Sequence, residues 1–137
     1  MNGGKTLTAR GGIRPVTTTI TVCDTCKRQG FDPEQGIAPD GARLLDLVVA
    51  EAEGDPSVAV RGHSCLMGCD FACNVTVQGP GKIGYAIGTF APDEEQAKAI
   101  VDWARLHATS DNGQVPYRSW PAAIKGHFRA RIFPADT

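Results

Sequence analysis

The sequence lacks the features that mark membrane, secreted and strongly charged proteins. Its 137 residues include no apolar stretch long enough to cross a bilayer. Residues 1–15 contain no apolar run followed by a small-residue cleavage site, so we predict no secretory signal and a cytoplasmic location. The formal net charge is only −1, and we therefore expect neither a nucleic-acid nor a membrane partner.

What is present suits one globular domain. Hydrophobic residues make up 42% of the chain and charged residues 21%, an ordinary balance for a folded domain of this length. We predict a mobile, glycine-rich leader over residues 1–15 and a folded domain over residues 16–113. We expect the tail, residues 114–137, to pack on the domain or on a partner, because its aromatic residues would otherwise face water.

The charges are unevenly distributed along the chain. From Cys23 to Gly113 there are 7 Lys and Arg residues against 14 Asp and Glu residues, whereas the segments on both sides are basic. An acidic body can steer toward a basic partner, although ordinary solvated surface charge explains the same pattern.

The five cysteines form the most informative pattern in the chain. Cys23 and Cys26 are spaced as Cys-x2-Cys, and Cys65, Cys69 and Cys73 as Cys-x3-Cys-x3-Cys. The number is odd and the sequence predicts no secretion. Such spacing therefore indicates a metal or redox site before it indicates a disulfide framework.

The predicted elements place these thiols at strand ends. The order is strand, loop, helix, strand, cysteine loop, hairpin and helix. β-Branched residues predict the first strand, and apolar residues at helical spacing predict both helices. The predicted bounds are a strand over residues 16–22, a helix capped by Asp40 and ended by Gly54, a strand over 57–62, hairpin strands starting at Val75 and Ile83, and a helix opened near Pro92 and closed by Gly113.

A strand, a crossover helix and a second strand predict a right-handed parallel unit. Its two strands end at one edge of the sheet, about 4.8 Å apart if they are neighbours. Cys23 and Cys65 follow those two strands, and Cys26 and Cys69 lie in the adjoining loops. The arrangement can therefore bring four sulfurs together.

A cysteine pair after the first strand, then Cys-Leu-x-x-Cys after the parallel strand, a hairpin and a final helix, resembles the thioredoxin-like [2Fe-2S] ferredoxins. The resemblance implies a thioredoxin-like α/β fold with a mixed four-stranded sheet, two main helices and an extended C-terminal tail. It implies that Cys23, Cys26, Cys65 and Cys69 bind a [2Fe-2S] cluster. It further implies a one-electron carrier without catalysis of its own, with redox proteins as partners and pairing into a homodimer.

Two positions depart from that ferredoxin pattern. The first pair of thiols is separated by two residues, where those ferredoxins use a longer spacing, and Cys73 stands where they tend to have proline. Cys73 shares parity with Val75 and Val77, which favours a small buried apolar residue, with ligation in place of Cys26 as the alternative. Over nearly its full length the chain also resembles a bacterial family of short predicted metal-binding proteins, some encoded beside cobalamin-synthesis genes.

Two other functions fit the same thiols. Structural zinc uses four-cysteine sites with a Cys-x2-Cys knuckle, although Cys-x3-Cys-x3-Cys is a poor second knuckle. A thiol-disulfide oxidoreductase would use Cys23-Asp24-Thr25-Cys26, but no helix is predicted for over ten residues after Cys26 to lower a thiol pKa. We favour the iron-sulfur carrier over the zinc-binding interaction module, and both over the oxidoreductase.

Overall fold

The computed structural model describes residues 18–64 and 72–134. Five strands and two α-helices make up this part of the chain, with three short 3-10 turns between them. In chain order the strands and helices are β1 Thr18–Cys23, α1 Asp40–Ala52, β2 Val58–His63, β3 Val75–Gln78, β4 Gly84–Ile87, α2 Glu94–Thr109 and β5 Phe128–Ile132.

The strands form one mixed sheet in the order β2-β1-β3-β4-β5. β1 and β2 are parallel, with Thr18 opposite Val58 and Cys23 opposite His63, and this confirms the predicted parallel unit. All the other pairs are antiparallel. The predicted four-stranded sheet is wrong by one strand, because β5 of the tail adds to β4 and forms the edge.

Both helices pack against β1, β2 and each other, which places them on one face of the sheet. α1 buries Leu44 and Val48, and α2 buries Ile100, Val101 and Trp103. These side chains meet the strand residues Ile20 and Val22 in a single core.

The helix ends differ in detail from the predictions. Asp93 caps α2 as its carboxylate accepts the N–H of Gln96 at 2.9 Å. Asp40 is the first helical residue of α1 rather than its cap, and Pro39 stands at the cap position without a side-chain hydrogen bond. α2 ends at Thr109, before Gly113, because the N–H of Ser110 turns back to the carbonyl of His107.

The tail packs on the core beside β4 through aromatic rings. Trp103 of α2 is fully buried and contacts Tyr85 of β4 edge to face, with the ring centroids 4.7 Å apart. Phe128 of β5 packs on Trp103 at 5.1 Å and stacks on Trp120 of the tail at 4.4 Å. These four residues, here called the aromatic cluster, attach the tail to the domain.

His107 links α2 to β1 and to the residue before β4, beside this cluster. Its Nε2 donates to the carbonyl of Ile83 at 2.8 Å, and its Nδ1 accepts from the Thr18 hydroxyl at 2.7 Å. Burial lowers the pKa of His107, so the neutral ring is the form that the fold holds.

Candidate metal centre

Two of the described thiols lie where β1 ends. Cys23 is the last residue of β1 and Cys26 is in the following turn. They are 2% and 5% exposed, and their thiols are hydrogen-bonded to each other. The sequence-predicted pair is therefore brought together in a site that is nearly closed to water.

The N-terminus of α1 packs directly on this turn. The N–H of Gly41 donates to the carbonyl of Cys26 at 2.9 Å. A Cβ added at Gly41 would lie 1.9 Å from the carbonyl oxygen of Cys23, so only glycine fits here. A helix N-terminus thus lies beside the thiols in space, although no helix follows them directly in sequence.

The proximity of α1 does not activate Cys26. Burial raises the pKa of the Cys26 thiol to about 11, and the Cys23 thiol acts in the same direction. A thiol-disulfide catalyst needs an accessible thiol of lowered pKa. The burial of Cys23 and the raised pKa of Cys26 both oppose that function.

Cys73 is the third described thiol and is fully buried. Burial raises its pKa to about 12, with Cys26 and Asp40 as the next causes, so Cys73 belongs to the same group of thiols. Its burial agrees with the sequence-based interpretation as a small apolar residue. The peptide bond between Ala72 and Cys73 is cis.

Asn74 contributes hydrogen-bond donors that the sequence did not indicate. Its side-chain Nδ2 donates to Sγ of Cys26 at 3.6 Å, and its backbone N–H donates to the same sulfur. Both donors lower the pKa of Cys26 against the effect of burial. In the sequence, Asn74 fits only a glycosylation pattern, and no local signal points to a thiol elsewhere in the chain.

Asp40 fastens the loop after Cys26 to α1. Its buried carboxylate accepts the backbone N–H of Arg28 at 2.6 Å and also contacts the guanidinium of Arg43. This contact holds the start of the loop, at Arg28, against the N-terminus of α1. The sequence did not predict the contact with Arg28. An aspartate at a helix start looks the same in the sequence whether it caps the helix or binds a neighbouring loop.

Cys65 and Cys69 lie outside the described residues. His63 and Asn74, which come before and after them in the sequence, both contact Cys23. His63 pairs with Cys23 across the parallel strands, and the carbonyl of Asn74 accepts the N–H of Cys23 at 2.9 Å. Cys23 is thus flanked by His63 of β2 on one side and by Asn74, the residue before β3, on the other.

Within residues 18–64 and 72–134, no group of three or more His, Cys, Asp or Glu side chains is arranged to hold a metal ion. The chemistry of the described site still fits a thiolate-ligated group. Its thiols are buried together, and a thiolate without a cation would be costly at that depth. N–H donors already point at one of the sulfurs.

Fold and site together define a class: an α/β domain with a five-stranded mixed sheet and buried thiols at the end of its first strand. The chain belongs to the family described as "Protein of unknown function (DUF1636)", whose model matches residues 20–135. A search of curated proteins gives no significant match. No helix of the described chain is long and apolar enough to span a bilayer.

Two solved structures resemble this fold. One is a thioredoxin-like [2Fe-2S] ferredoxin from Aquifex aeolicus, with a TM-score of 0.52 and 15% identity over 89% of this chain and 98% of that chain. The other is a wild-type thioredoxin-like [2Fe-2S] ferredoxin from the same organism, with a TM-score of 0.46 and 13% identity over 71% of this chain and 90% of that chain. At such identity the first likeness establishes the fold, and function has to be argued from the site.

Proposed function

We propose that this protein is a one-electron carrier that binds a [2Fe-2S] cluster through Cys23, Cys26, Cys65 and Cys69. The observation that carries the proposal is the burial of Cys23 and Cys26 side by side at the end of β1. The parallel partner strand β2 ends at His63, two positions before Cys65 in the sequence. The likeness to a solved [2Fe-2S] ferredoxin supports the same function.

When bound, a [2Fe-2S] cluster supplies a one-electron couple whose oxidised and reduced forms, counted with four thiolates, carry about −2 and −3 charges. The protein's own residues prepare for such a charge. Cys23 and Cys26 supply sulfurs on a rigid strand end, where the register with His63 fixes the position of Cys23. Asn74 directs two N–H groups at Cys26, and the nearly complete burial of the thiols restricts access of water.

The domain then acts through partners, without catalysis of its own. Redox proteins supply and take the electron, and two copies of the chain pair. The excess of acidic residues between positions 23 and 113 favours a partner with a basic face.

The proposal is tested by anaerobic purification followed by visible absorption and by analysis of iron, sulfide and zinc. We expect a red-brown protein that contains iron and acid-labile sulfide in equal amounts and that bleaches with dithionite. A colourless protein with one zinc per chain would identify the zinc-binding module instead, and a protein with neither metal would refute both.

Single substitutions assign the ligands. Cys23→Ser and Cys26→Ser should lose most of the colour, because serine is a poor substitute for a thiolate ligand. Cys73→Ala is the matched control, since it removes a thiol from the same buried group, and it should keep the colour. If Cys73→Ala lost the colour and Cys26→Ser kept it, Cys73 would be the ligand in place of Cys26.

A further inference from the structure

Asn74 directs two hydrogen-bond donors of one residue at one sulfur. Its Nδ2 lies 3.6 Å from Sγ of Cys26, and its backbone N–H donates to the same atom. Asn74 is only 9% exposed, so its amide lies in the protein interior and little of it meets solvent. A buried amide at this position is costly unless it is hydrogen-bonded, and Cys26 is a partner that it contacts.

The surrounding strands hold Asn74 in place. Its carbonyl accepts the N–H of Cys23 at 2.9 Å, and the next residue, Val75, pairs with Val22 of β1. On its other side, Cys73 exchanges backbone hydrogen bonds with Phe90 at 3.2 and 3.5 Å. Backbone contacts on both sides therefore hold the backbone of Asn74 in place, and with it both hydrogen-bond donors.

Hydrogen bonds to ligand sulfur stabilise the more negative state of an iron-sulfur site more than the less negative one. We propose that Asn74 is a positioning residue that sets the reduction potential of the site by donating its side-chain amide to the Cys26 sulfur. This inference rests on the proposed function and on Cys26 as a ligand. It assigns a role to a residue that is itself no ligand.

The direct test is a redox titration of three forms: the wild type, Asn74→Ala and Asn74→Asp. Removing the side-chain donor should make reduction about tenfold less favourable, which is about 59 mV for a one-electron couple. Asn74→Asp should lower the potential further, because a carboxylate replaces a donor beside the sulfur. The lower potential of Asn74→Ala is the signature of a donor, since this variant removes the amide without adding a charge.

Asn112 provides the matched control. It is the other described asparagine, and its side chain contacts Gln114 and Ser110 after α2, away from the thiols. Asn112→Ala should leave the potential unchanged. Equal potentials in the wild type and in a folded Asn74→Ala variant would overturn the proposal.

A second measurement needs no variant. In the wild-type protein, exchange of N–H for N–D should shift the Fe–S(Cys) stretching bands in the resonance Raman spectrum, because both Asn74 donors carry exchangeable protons. If the Asn74 variants fail to fold, unshifted bands after complete exchange would overturn the proposal. A protein without any iron would instead overturn the proposed function, so the two failures are distinguishable.

Discussion

The thiol site after β1, here called the thiol end, and the aromatic cluster around β4 and β5, here called the aromatic end, are held together in different ways. At the thiol end, Cys23, Cys26 and Cys73 are buried, and the Cys26 sulfur accepts hydrogen bonds from Asn74. At the aromatic end, Trp103 and Phe128 fill space with rings that need no ligand. The side chains of the aromatic end pack on one another, whereas the thiol end brings together sulfur atoms that can bind a metal centre.

The largest effect on the fold should come from the aromatic end. Trp103→Ala removes a fully buried indole and should lower the free energy of unfolding by about 3–5 kcal/mol, as measured by urea denaturation. Trp103→Phe is the conservative control and should lose less, because the Trp103 Nε1 has no hydrogen-bond partner in the described structure. Equal free energies of unfolding for Trp103→Ala and the wild type would show that packing at the aromatic end does not stabilise the fold.

A somewhat smaller effect should come from the thiol end through Gly41. Alanine normally favours a helix over glycine by about 1 kcal/mol, but a Cβ here would collide with the carbonyl of Cys23. We expect Gly41→Ala to destabilise the fold by about 1–3 kcal/mol and to reduce cluster loading. Gly30→Ala in the adjacent loop is the control, since its φ is +90° but no atom lies within 4 Å, so only backbone strain of about 1 kcal/mol should appear. If Gly41→Ala stabilised the fold, the N-terminus of α1 would not be in close contact with the carbonyl of Cys23.

The aromatic end should also respond to pH through His107. Its pKa is lowered by burial from the ordinary value of 6.5, so the unfolded chain takes up a proton first as the pH falls. The contribution of His107 to stability is therefore complete above pH 6.5 and is lost as the pH falls through the lower, folded-state pKa. His107→Gln should flatten this part of the stability profile in urea titrations at several pH values. A wild-type profile without this acid-side loss would contradict the buried neutral ring.

The smallest effect should come from a surface contact outside both ends. Arg105 of α2 pairs with Asp55 at 3.0 Å and donates to the carbonyl of Glu51 at 2.9 Å, joining the two helices. Because this side chain is 40% exposed, Arg105→Met should cost only about 0.5–1 kcal/mol in urea denaturation. A loss as large as that of Trp103→Ala would mean that the helix contact, and not the aromatic end, governs stability.

Sequence reasoning found the elements that have a strong local pattern. The β-branched residues 16–22 predicted β1, and the spacing from Leu44 to Ala52 predicted α1. β5 was missed, although Phe128 to Ile132 alternates apolar residues with Arg129 and Arg131. The prolines and aromatics around it obscured that alternation, and its pairing with β4 depends on contacts distant in sequence.

At the site, the sequence could group Cys23 with Cys26 because two residues separate them. It could not predict the contact between Asn74 and Cys26, which are 48 positions apart, because the contact exists only once β3 lies beside β1. The ligand roles of Cys23, Cys26, Cys65 and Cys69 stay predictions.

Native mass spectrometry of the anaerobically purified chain tests the central claim most directly, since it weighs protein and cofactor together. We expect the dominant species to carry two iron and two sulfide ions per chain, and Cys23→Ser to shift it to the mass of the bare polypeptide. A wild-type spectrum with one zinc per chain, or with no added mass, would contradict the iron-sulfur carrier.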